Sequence, residues 1–294
     1  MKVSISALEG NRQALDGGAM FGNVPRPLWS KWLKPDEQGR IELACRCMLL
    51  EIGPWRVLCE TGIGAFFEPK LAARFGIADR EHRLLASLGQ LGLTDADIDF
   101  VILSHLHFDH AGGLLPAFVA PGGKPTRLLF PKARYVVGRE AWDRASHPHP
   151  RDRASFIDGL TDLLTQSGRL VMVEGKLIPD APAELQERIS FCFSHGHTPG
   201  QMHTICRGDA RTVVFCGDLV PGLAWVHLPV TMGYDRFAEL VIDEKKQFYE
   251  RAQIETWTLF YTHDPNVAMS ELRVSGDGKF EGGTAFATPV RMSL

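Results

Sequence analysis

The 294-residue sequence has no long apolar run, no surplus of basic residues and no paired cysteine motif. No segment approaches the roughly 18 apolar residues of a membrane-spanning helix. The amino-terminal stretch also lacks the continuous apolar segment of a signal peptide. A net charge of -3 argues against a nucleic-acid or anionic membrane partner. We therefore expect a cytoplasmic protein with neither kind of partner.

The six cysteines form no Cys-X-X-Cys pair. A disulfide framework is not expected in a chain of this length without a secretion signal. Because unpaired cysteine is commonly buried, Cys45 and Cys47 are predicted to be small apolar residues of a sheet core.

Short strand-like runs rich in Val, Ile, Leu and Phe recur along the chain, bounded by Gly, Pro or Asp. They are Ile41–Ile52, Trp55–Cys59, Phe100–Ser104, Arg134–Val137, Leu170–Val173, Ile189–Ser194, Thr212–Cys216 and Thr256–Tyr261. Apolar residues at helical spacing predict helices at His82–Leu91, Asp152–Gln166 and Tyr234–Ile254. This interleaving predicts one α/β domain over residues 1–294, with a loop-rich N-terminal arm over residues 1–35.

The segment Ser104–Gly113 reads SHLHFDHAGG and directly follows the apolar run at Phe100. Alternate residues of an extended chain project to the same side, so His105 and His107 suit one metal ion. Asp109 and His110 follow where the glycines free the backbone to turn, and they can face a second ion. Four ligands from six residues divide more easily between two ions than they share one tetrahedral ion.

Three more ligand-type residues follow other apolar runs: His197 in SHGHTPG, Asp218 in FCGDL and His263 in FYTHDP. Loops at strand ends commonly carry chemistry on a rigid scaffold. The sequence therefore offers enough ligands for two metal ions.

In these motifs and their order, the sequence resembles the metallo-β-lactamase-fold hydrolases. The resemblance covers nearly the whole chain, and it implies an α/β fold that is a four-layer αββα sandwich with metals at one edge. It assigns one metal position to His105, His107 and His197, and the other to Asp109, His110 and His263, with Asp218 bridging. Glu60 stands where the family usually has an aspartate that orients a ligand histidine.

Within the family, the stretch Gly17–Trp29 and the ending His263-Asp-Pro265 resemble the lactonase and organophosphate-hydrolase-like branch. The zinc β-lactamases carry a cysteine at the position of Asp218, and the diiron reductases carry a glutamate at that of His107. The resemblance therefore implies a small-molecule hydrolase.

Two divalent ions about 3.5–4 Å apart hold a bridging hydroxide at neutral pH, which suits hydrolysis of an ester, lactone or phosphotriester. Asp109 is the protein group best placed to move a proton to the leaving group. Zinc is the expected metal for such ligands, and manganese, cobalt or iron also suit them.

Lactonases of the family have a tyrosine three residues after the bridging aspartate, and here Pro221 takes that position. Trp225, His227 or Tyr234 would have to donate in its place, and we predict His227 as the catalytic donor. With a donor lost, weak lactonase activity and better turnover of activated esters or phosphotriesters are expected.

The apolar residues Phe21, Trp29 and Trp225, with Leu28, are predicted to wall a pocket for an acyl or aryl group. Packing in the core or at a homodimer contact is an equally open interpretation of the same residues. His147 and His149 are predicted to lie on an exposed loop, and His195 near the site or in solvent.

A second function of another class stays open, namely a catalytically silent metal-binding protein used for sensing or as an oligomeric partner. The complete ligand set favours the enzyme, because a degenerate relative would usually have lost some ligands.

Overall fold

The computed structural model describes residues 1–119 and 127–294 of the chain. In this part of the chain, fifteen strands form three sheets. The strands are β1 Val3–Leu8, β2 Gln13–Asp16, β3 Arg40–Leu43, β4 Cys47–Ile52, β5 Trp55–Cys59, β6 Phe100–Leu103, β7 Arg134–Gly138, β8 Leu170–Val173, β9 Ile189–Ser194, β10 Gln201–Arg207, β11 Thr212–Phe215, β12 Trp257–Phe260, β13 Met269–Val274, β14 Phe280–Phe286 and β15 Met292–Ser293.

Two of the sheets are large. One has seven strands in the order β15-β1-β4-β5-β6-β7-β8, with parallel pairing from β5 to β8. The other has six strands in the order β14-β13-β12-β11-β10-β9, in which only the β11–β12 pair is parallel among the described pairs. The small sheet pairs β2 with β3.

The two large sheets pack face to face around one apolar core. Leu50 and Ile102 of the first sheet share a buried cluster with Phe191 and Phe260 of the second. Strand β6 is apolar on both faces because both are covered: Ile102 faces the other sheet, while Val101 joins the cluster beneath the helices.

The helices are α1 Gly17–Phe21, α2 Arg26–Trp29, α3 Pro69–Arg74, α4 Arg83–Gln90, α5 Phe108–Ala111, α6 Arg139–Ser146, α7 Leu160–Gln166, α8 Ala183–Arg188 and α9 Ala238–Ile254. Helices α4, α6 and α7 cover the outer face of the first sheet, and α9 covers that of the second. These layers are the predicted four-layer αββα sandwich. Among the described residues, no helix combines the length and the apolar character needed to cross a bilayer.

Two predicted boundaries shift in ways that matter for function. The run Ile41–Ile52 divides into β3 and β4, because residues 44–46 hydrogen-bond to Thr262 and His263 at the end of β12. The predicted helix Tyr234–Ile254 begins only at Ala238, so Tyr234 lies in the loop before it. That loop reaches the candidate functional site.

The prediction of a loop-rich arm over residues 1–35 is wrong in part. Strand β1 belongs to the seven-stranded sheet, and β2, α1 and α2 follow it within the arm. The apolar residues of this segment are buried with Trp225, Val230 and Met232, and this burial fixes its short elements in place. That the chain forms one domain stays a prediction.

Buried His203 in β10 predicts a loss of stability in acid. Its ring is fully enclosed, with Nε2 2.8 Å from Ser194 Oγ, and burial lowers its pKa from 6.5 to about 4. The unfolded chain binds a proton near pH 6.5 whereas the folded chain does not until about pH 4. Stability is therefore lost as the pH falls through this window, by about 3 kcal/mol.

Urea unfolding of chelator-treated protein between pH 7 and pH 4 measures this effect. His203→Gln keeps a polar partner for Ser194 but does not titrate, so it should lose about 3 kcal/mol less than the unmutated protein over the same range. Equal losses in the two proteins would contradict the assignment to His203.

Candidate metal centre

All seven residues predicted as metal ligands lie together where strands of both large sheets end. His105 and His107 follow β6, and Asp109 and His110 lie in the single turn α5. The other three follow strands of the second sheet: His197 after β9, Asp218 after β11 and His263 after β12. The apolar strands thus fix the backbone positions from which these side chains converge. Their binding of metal stays a prediction.

The side chains form two groups. In one, His107 Nδ1 lies 3.0 Å from His105 Nε2 and 3.3 Å from His197 Nε2. In the other, Asp109 Oδ1 lies 3.7 Å from His110 Nε2, and Asp109 Oδ2 lies 3.5 Å from His263 Nε2. These are the two ligand groups that the family resemblance implies.

Asp218 lies between the two groups. Its Oδ2 is 3.3 Å from His197 Nε2, while its Oδ1 is 3.3 Å from His110 Nε2 and 3.2 Å from His263 Nε2. One carboxylate oxygen therefore faces each group, as a bridging ligand requires.

Neighbouring groups orient three of the histidine rings from behind. Ser104 Oγ lies 2.8 Å from His105 Nδ1, and Asp235 Oδ1 lies 2.9 Å from His197 Nδ1. The carbonyl oxygen of Ala44 lies 2.7 Å from His263 Nδ1 and accepts its proton. Such contacts fix the tautomer, so that the opposite ring nitrogen faces the centre as an electron-pair donor.

Glu60 occupies the position where the family usually has aspartate. Its Oε2 lies 3.2 Å from His110 Nδ1, and its Oε1 accepts the backbone N–H of Ser104 at 2.6 Å. The backbone of Glu60 is left-handed, with φ of 68°. The longer side chain of Glu60 therefore still reaches a ligand histidine, His110. It also accepts a hydrogen bond from the backbone of Ser104, where the histidine motif begins.

The electrostatics of the centre separate the histidines into two kinds. Burial, reinforced by neighbouring histidines, lowers the pKa of His105 and His107 well below its usual range. Burial alone would do the same to His110 and His263, but the carboxylate of Asp218 raises the pKa of both well above it. Burial would raise the pKa of Asp218, yet these histidines hold it well below the usual range.

The donor set fits divalent cations. His110 Nε2 and Asp218 Oδ1 are buried and face each other, yet neither has a hydrogen-bond partner among the described residues. An unpaired buried polar group costs about 1–3 kcal/mol. Imidazole nitrogens and carboxylate oxygens are donors that zinc accepts, so bound cations would satisfy these atoms.

A cavity of about 1870 Å³ opens onto the centre. His107, Asp109, His197, Asp218 and His263 are in its lining. Phenylalanines provide much of the remaining wall: Phe66, Phe67, Phe75, Phe108, Phe118 and Phe156. The N-terminal arm contributes Leu15 and Met20. Five of the candidate ligands therefore line a large cleft whose walls are rich in phenylalanine and also carry charged residues such as Arg40, Arg74 and Arg153.

The predicted substrate-binding aromatics do not line this cleft. Phe21 is stacked between Trp225 at 4.5 Å and Trp29 at 5.6 Å, and all three rings are buried. Trp225 also donates its indole N–H to the carbonyl of Met20 at 2.9 Å. The prediction was wrong because these residues pack the N-terminal arm onto the loop at Trp225, which is the core interpretation left open above.

The predicted donor His227 is also outside the cleft lining. Its ring packs on Trp32 with 5.3 Å between centroids, and its carbonyl accepts from buried Lys245. Tyr234, which is the one candidate donor of the three with a hydroxyl, lines the cleft together with residues of the metal centre. Burial raises the pKa of Tyr234, and the nearby carboxylates of Asp109 and Asp16 raise it further. The phenol therefore keeps its proton at neutral pH.

His147, His149 and His195 lie where the sequence suggested. His147 and His149 are exposed on a loop, and half-exposed His195 lies 3.1 Å from Glu140. Two residues of the centre were missed: Asp235, described above, and Gln13, whose amide donates to Asp109. Asp235 directly follows Tyr234 in a short polar segment before α9. That segment was the only sequence feature that could have indicated a loop residue near the centre. Gln13 had no such feature, since it is 96 positions from Asp109.

The chain is similar to a lactonase over part of its length. The chain is 24% identical over 172 residues to an N-acyl homoserine lactonase from a Bacillus species, in an alignment covering 54% of this chain and 57% of that protein. The chain thus matches little more than half of that lactonase's length.

Two solved structures are similar over nearly the whole chain. One is described as a probable metal-dependent hydrolase from Staphylococcus aureus, with 28% identity, a TM-score of 0.83, and coverage of 99% of this chain and 98% of that one. The other is AidC, described as a dizinc quorum-quenching lactonase in complex with a product, with 20% identity, a TM-score of 0.70, and coverage of 96% and 94%.

The model of the metallo-beta-lactamase superfamily matches residues 42–263, a range that includes all seven candidate ligands. This match covers most of the chain. The two packed sheets and the clusters of histidine and aspartate side chains are consistent with it. The protein therefore belongs to the metallo-beta-lactamase superfamily, a family of metal-dependent hydrolases.

Proposed function

We propose that this protein is a dinuclear hydrolase that opens lactones, and cleaves related esters, of substrates carrying an apolar acyl or aryl group. The observation that carries the proposal is the convergence of seven ligand-type side chains, five of which line a large cleft rich in phenylalanine. The likeness to a Bacillus N-acyl homoserine lactonase supports the lactone class.

His105, His107 and His197 would hold one divalent ion, and Asp109, His110 and His263 the other, with Asp218 touching both. Two bound ions would supply a hydroxide nucleophile at neutral pH and polarise the bond under attack. We propose zinc, which suits nitrogen and oxygen donors and is the metal named for AidC.

The protein's own residues would do the rest. The phenylalanines of the cleft would exclude water and hold the apolar part of the substrate. Asp109, which lies in the cleft lining, would pass a proton toward the leaving oxygen. Tyr234 would donate a hydrogen bond to the same leaving oxygen as it gains negative charge.

Tyr234 also removes the reason to expect weak lactonase activity. That expectation depended on the loss of a donor at Pro221. A protonated phenol in the cleft can supply the missing hydrogen bond from a different loop. We therefore propose a lactone as a full substrate, with aryl esters and phosphotriesters as further substrates.

That the protein forms a homodimer stays a prediction.

Metal analysis combined with a substrate panel tests this function. Protein purified without chelator should contain about two metal ions per chain and should hydrolyse acyl lactones, faster with longer acyl chains because the cleft walls are rich in phenylalanine. Chelation should abolish turnover, and zinc, manganese or cobalt should restore it.

Two results would contradict the proposal in different ways. One metal ion per chain in metal-replete protein would contradict the dinuclear site. Two ions without turnover of any lactone, aryl ester or phosphotriester would instead favour the silent metal-binding protein.

A further inference from the structure

The N-terminal arm reaches the candidate metal centre through one buried amide. Gln13, the first residue of β2, is 1% exposed, and its Nε2 donates to Asp109 Oδ2 at 2.7 Å. Burying an amide is unfavourable unless it is hydrogen-bonded. The contact with Asp109 therefore offsets part of the cost of burying this polar side chain.

The orientation of the amide is fixed by chemistry. The carbonyl oxygen of Gln13 is buried without a hydrogen-bond partner among the described residues, so nothing else selects which end faces Asp109. A flipped amide would bring two oxygens to within 2.7 Å of each other. The carboxylate therefore selects the donating end.

Asp109 is the ligand candidate that most needs such support. It sits in α5, a helix of only four residues, and its side chain is 13% exposed to the cleft, whereas His110 and His263 of the same group are buried. A carboxylate at this position can rotate between its two oxygens. A neutral donor on Oδ2 restrains that rotation without cancelling the charge that attracts a cation.

The same two-stranded sheet touches this group at a second point. Gln13 pairs with Leu43 in β3, and the next residue, Ala44, accepts the Nδ1 proton of His263 at 2.7 Å. The β2–β3 sheet and the residue that directly follows β3 therefore support Asp109 and His263. No such contact from this sheet reaches His105 or His197 in the described hydrogen bonds.

We propose that Gln13 is a positioning residue that holds Asp109 for one of the two metal positions, so that the N-terminal arm sets the affinity of that position selectively. This inference rests on the proposed dinuclear site. It predicts an asymmetric defect: without the amide, one metal should bind more weakly while the other is unaffected.

Calorimetric titration of chelator-stripped protein with Zn²⁺, and with Co²⁺ to follow its absorption spectrum, tests the proposal. Gln13→Leu keeps the approximate volume but removes the donor. It should weaken one binding step by about 10–100-fold and leave the other unchanged. With Co²⁺, only one of the two spectral components should shift to higher metal concentration. Excess metal should restore turnover without changing KM.

Ile41→Ala is the matched control. It opens a cavity in the same small sheet, since Ile41 is buried opposite Leu15 in the apolar cluster that contains Phe21 and Trp29. It should lower thermal stability while both binding steps stay as in the unmutated protein. Gln13→Asn should not rescue the defect, because its amide is shorter by one methylene.

Two binding steps of unmutated affinity in Gln13→Leu would overturn the proposal, as would an equal weakening in Ile41→Ala. If the unmutated protein takes up two metals but hydrolyses nothing, the proposed function fails while the role of Gln13 is still decided by the titration. Uptake of fewer than two metals would overturn both.

Discussion

Asp218→Ala should lose both metal ions and nearly all turnover. Its two carboxylate oxygens face the two histidine groups at 3.2–3.3 Å, so its removal weakens both metal positions at once. Metal ions supply several kcal/mol of transition-state stabilisation. At about 1.36 kcal/mol per factor of ten, the loss of kcat should be roughly 10³-fold or more.

Mass-spectrometric metal counting and kcat on an acyl lactone measure the two effects together. Asp162→Ala, an aspartate exposed on α7, is the matched control and should keep two metals and full activity. Asp218→Asn should fall between the two, because it keeps one oxygen but loses the charge. Two metals and full turnover in Asp218→Ala would show that Asp218 does not bridge.

Tyr234→Phe should lower kcat on lactones by about 10²–10³-fold with metal content and KM unchanged, as expected for the loss of one hydrogen-bond donor to the leaving alkoxide oxygen as it gains negative charge. Its backbone is held close to the centre. The next residue, Asp235, contacts His197, and the preceding Gly233 donates to the carbonyl of Ala19 at 2.8 Å. The phenol therefore sits on a loop that is anchored on both sides.

The dependence on the leaving group separates a donor from a merely structural tyrosine. An aliphatic alkoxide needs a hydrogen bond or proton, whereas an activated phenolate needs little help. The defect should therefore be large on lactones and small on aryl esters with acidic phenols. An equal loss on both substrates would assign Tyr234 to packing instead.

Two further variants serve as controls for this prediction. Tyr249→Phe removes a hydroxyl that is buried without a hydrogen-bond partner in the described part of the chain, so it should leave kcat unchanged. His227→Ala should also retain activity, because its ring packs on Trp32 outside the cleft lining. A large loss in His227→Ala would return the donor role to that residue.

The α/β class and the ligand candidates followed from local patterns in the sequence, whereas the four-layer sandwich was implied by the family resemblance. Apolar runs bounded by turn residues mark buried strands. The end of a strand fixes the backbone position and orientation of the residues that directly follow it. His105 and His107 are two positions apart at such an end, so their convergence is already encoded in the chain geometry. The same holds for His197, Asp218 and His263, each of which directly follows a strand.

Only the tertiary structure decided which other side chains meet the centre. An aromatic residue in sequence favours burial, but the same burial free energy is available in a core and in a cleft wall. Phe21, Trp29 and Trp225 therefore looked like substrate contacts and instead form a core stack, while Phe66 and Phe156 line the cleft.

The polar contacts depended even more strongly on the fold. Gln13 meets Asp109 across 96 positions of sequence, and Tyr234 reaches the cleft because α9 begins four residues later than its apolar pattern suggests. A hydrogen bond acts only over about 3 Å and leaves no periodic trace in the sequence. Such pairs are fixed by how the arm and the loops pack on the sandwich, which no local pattern specifies.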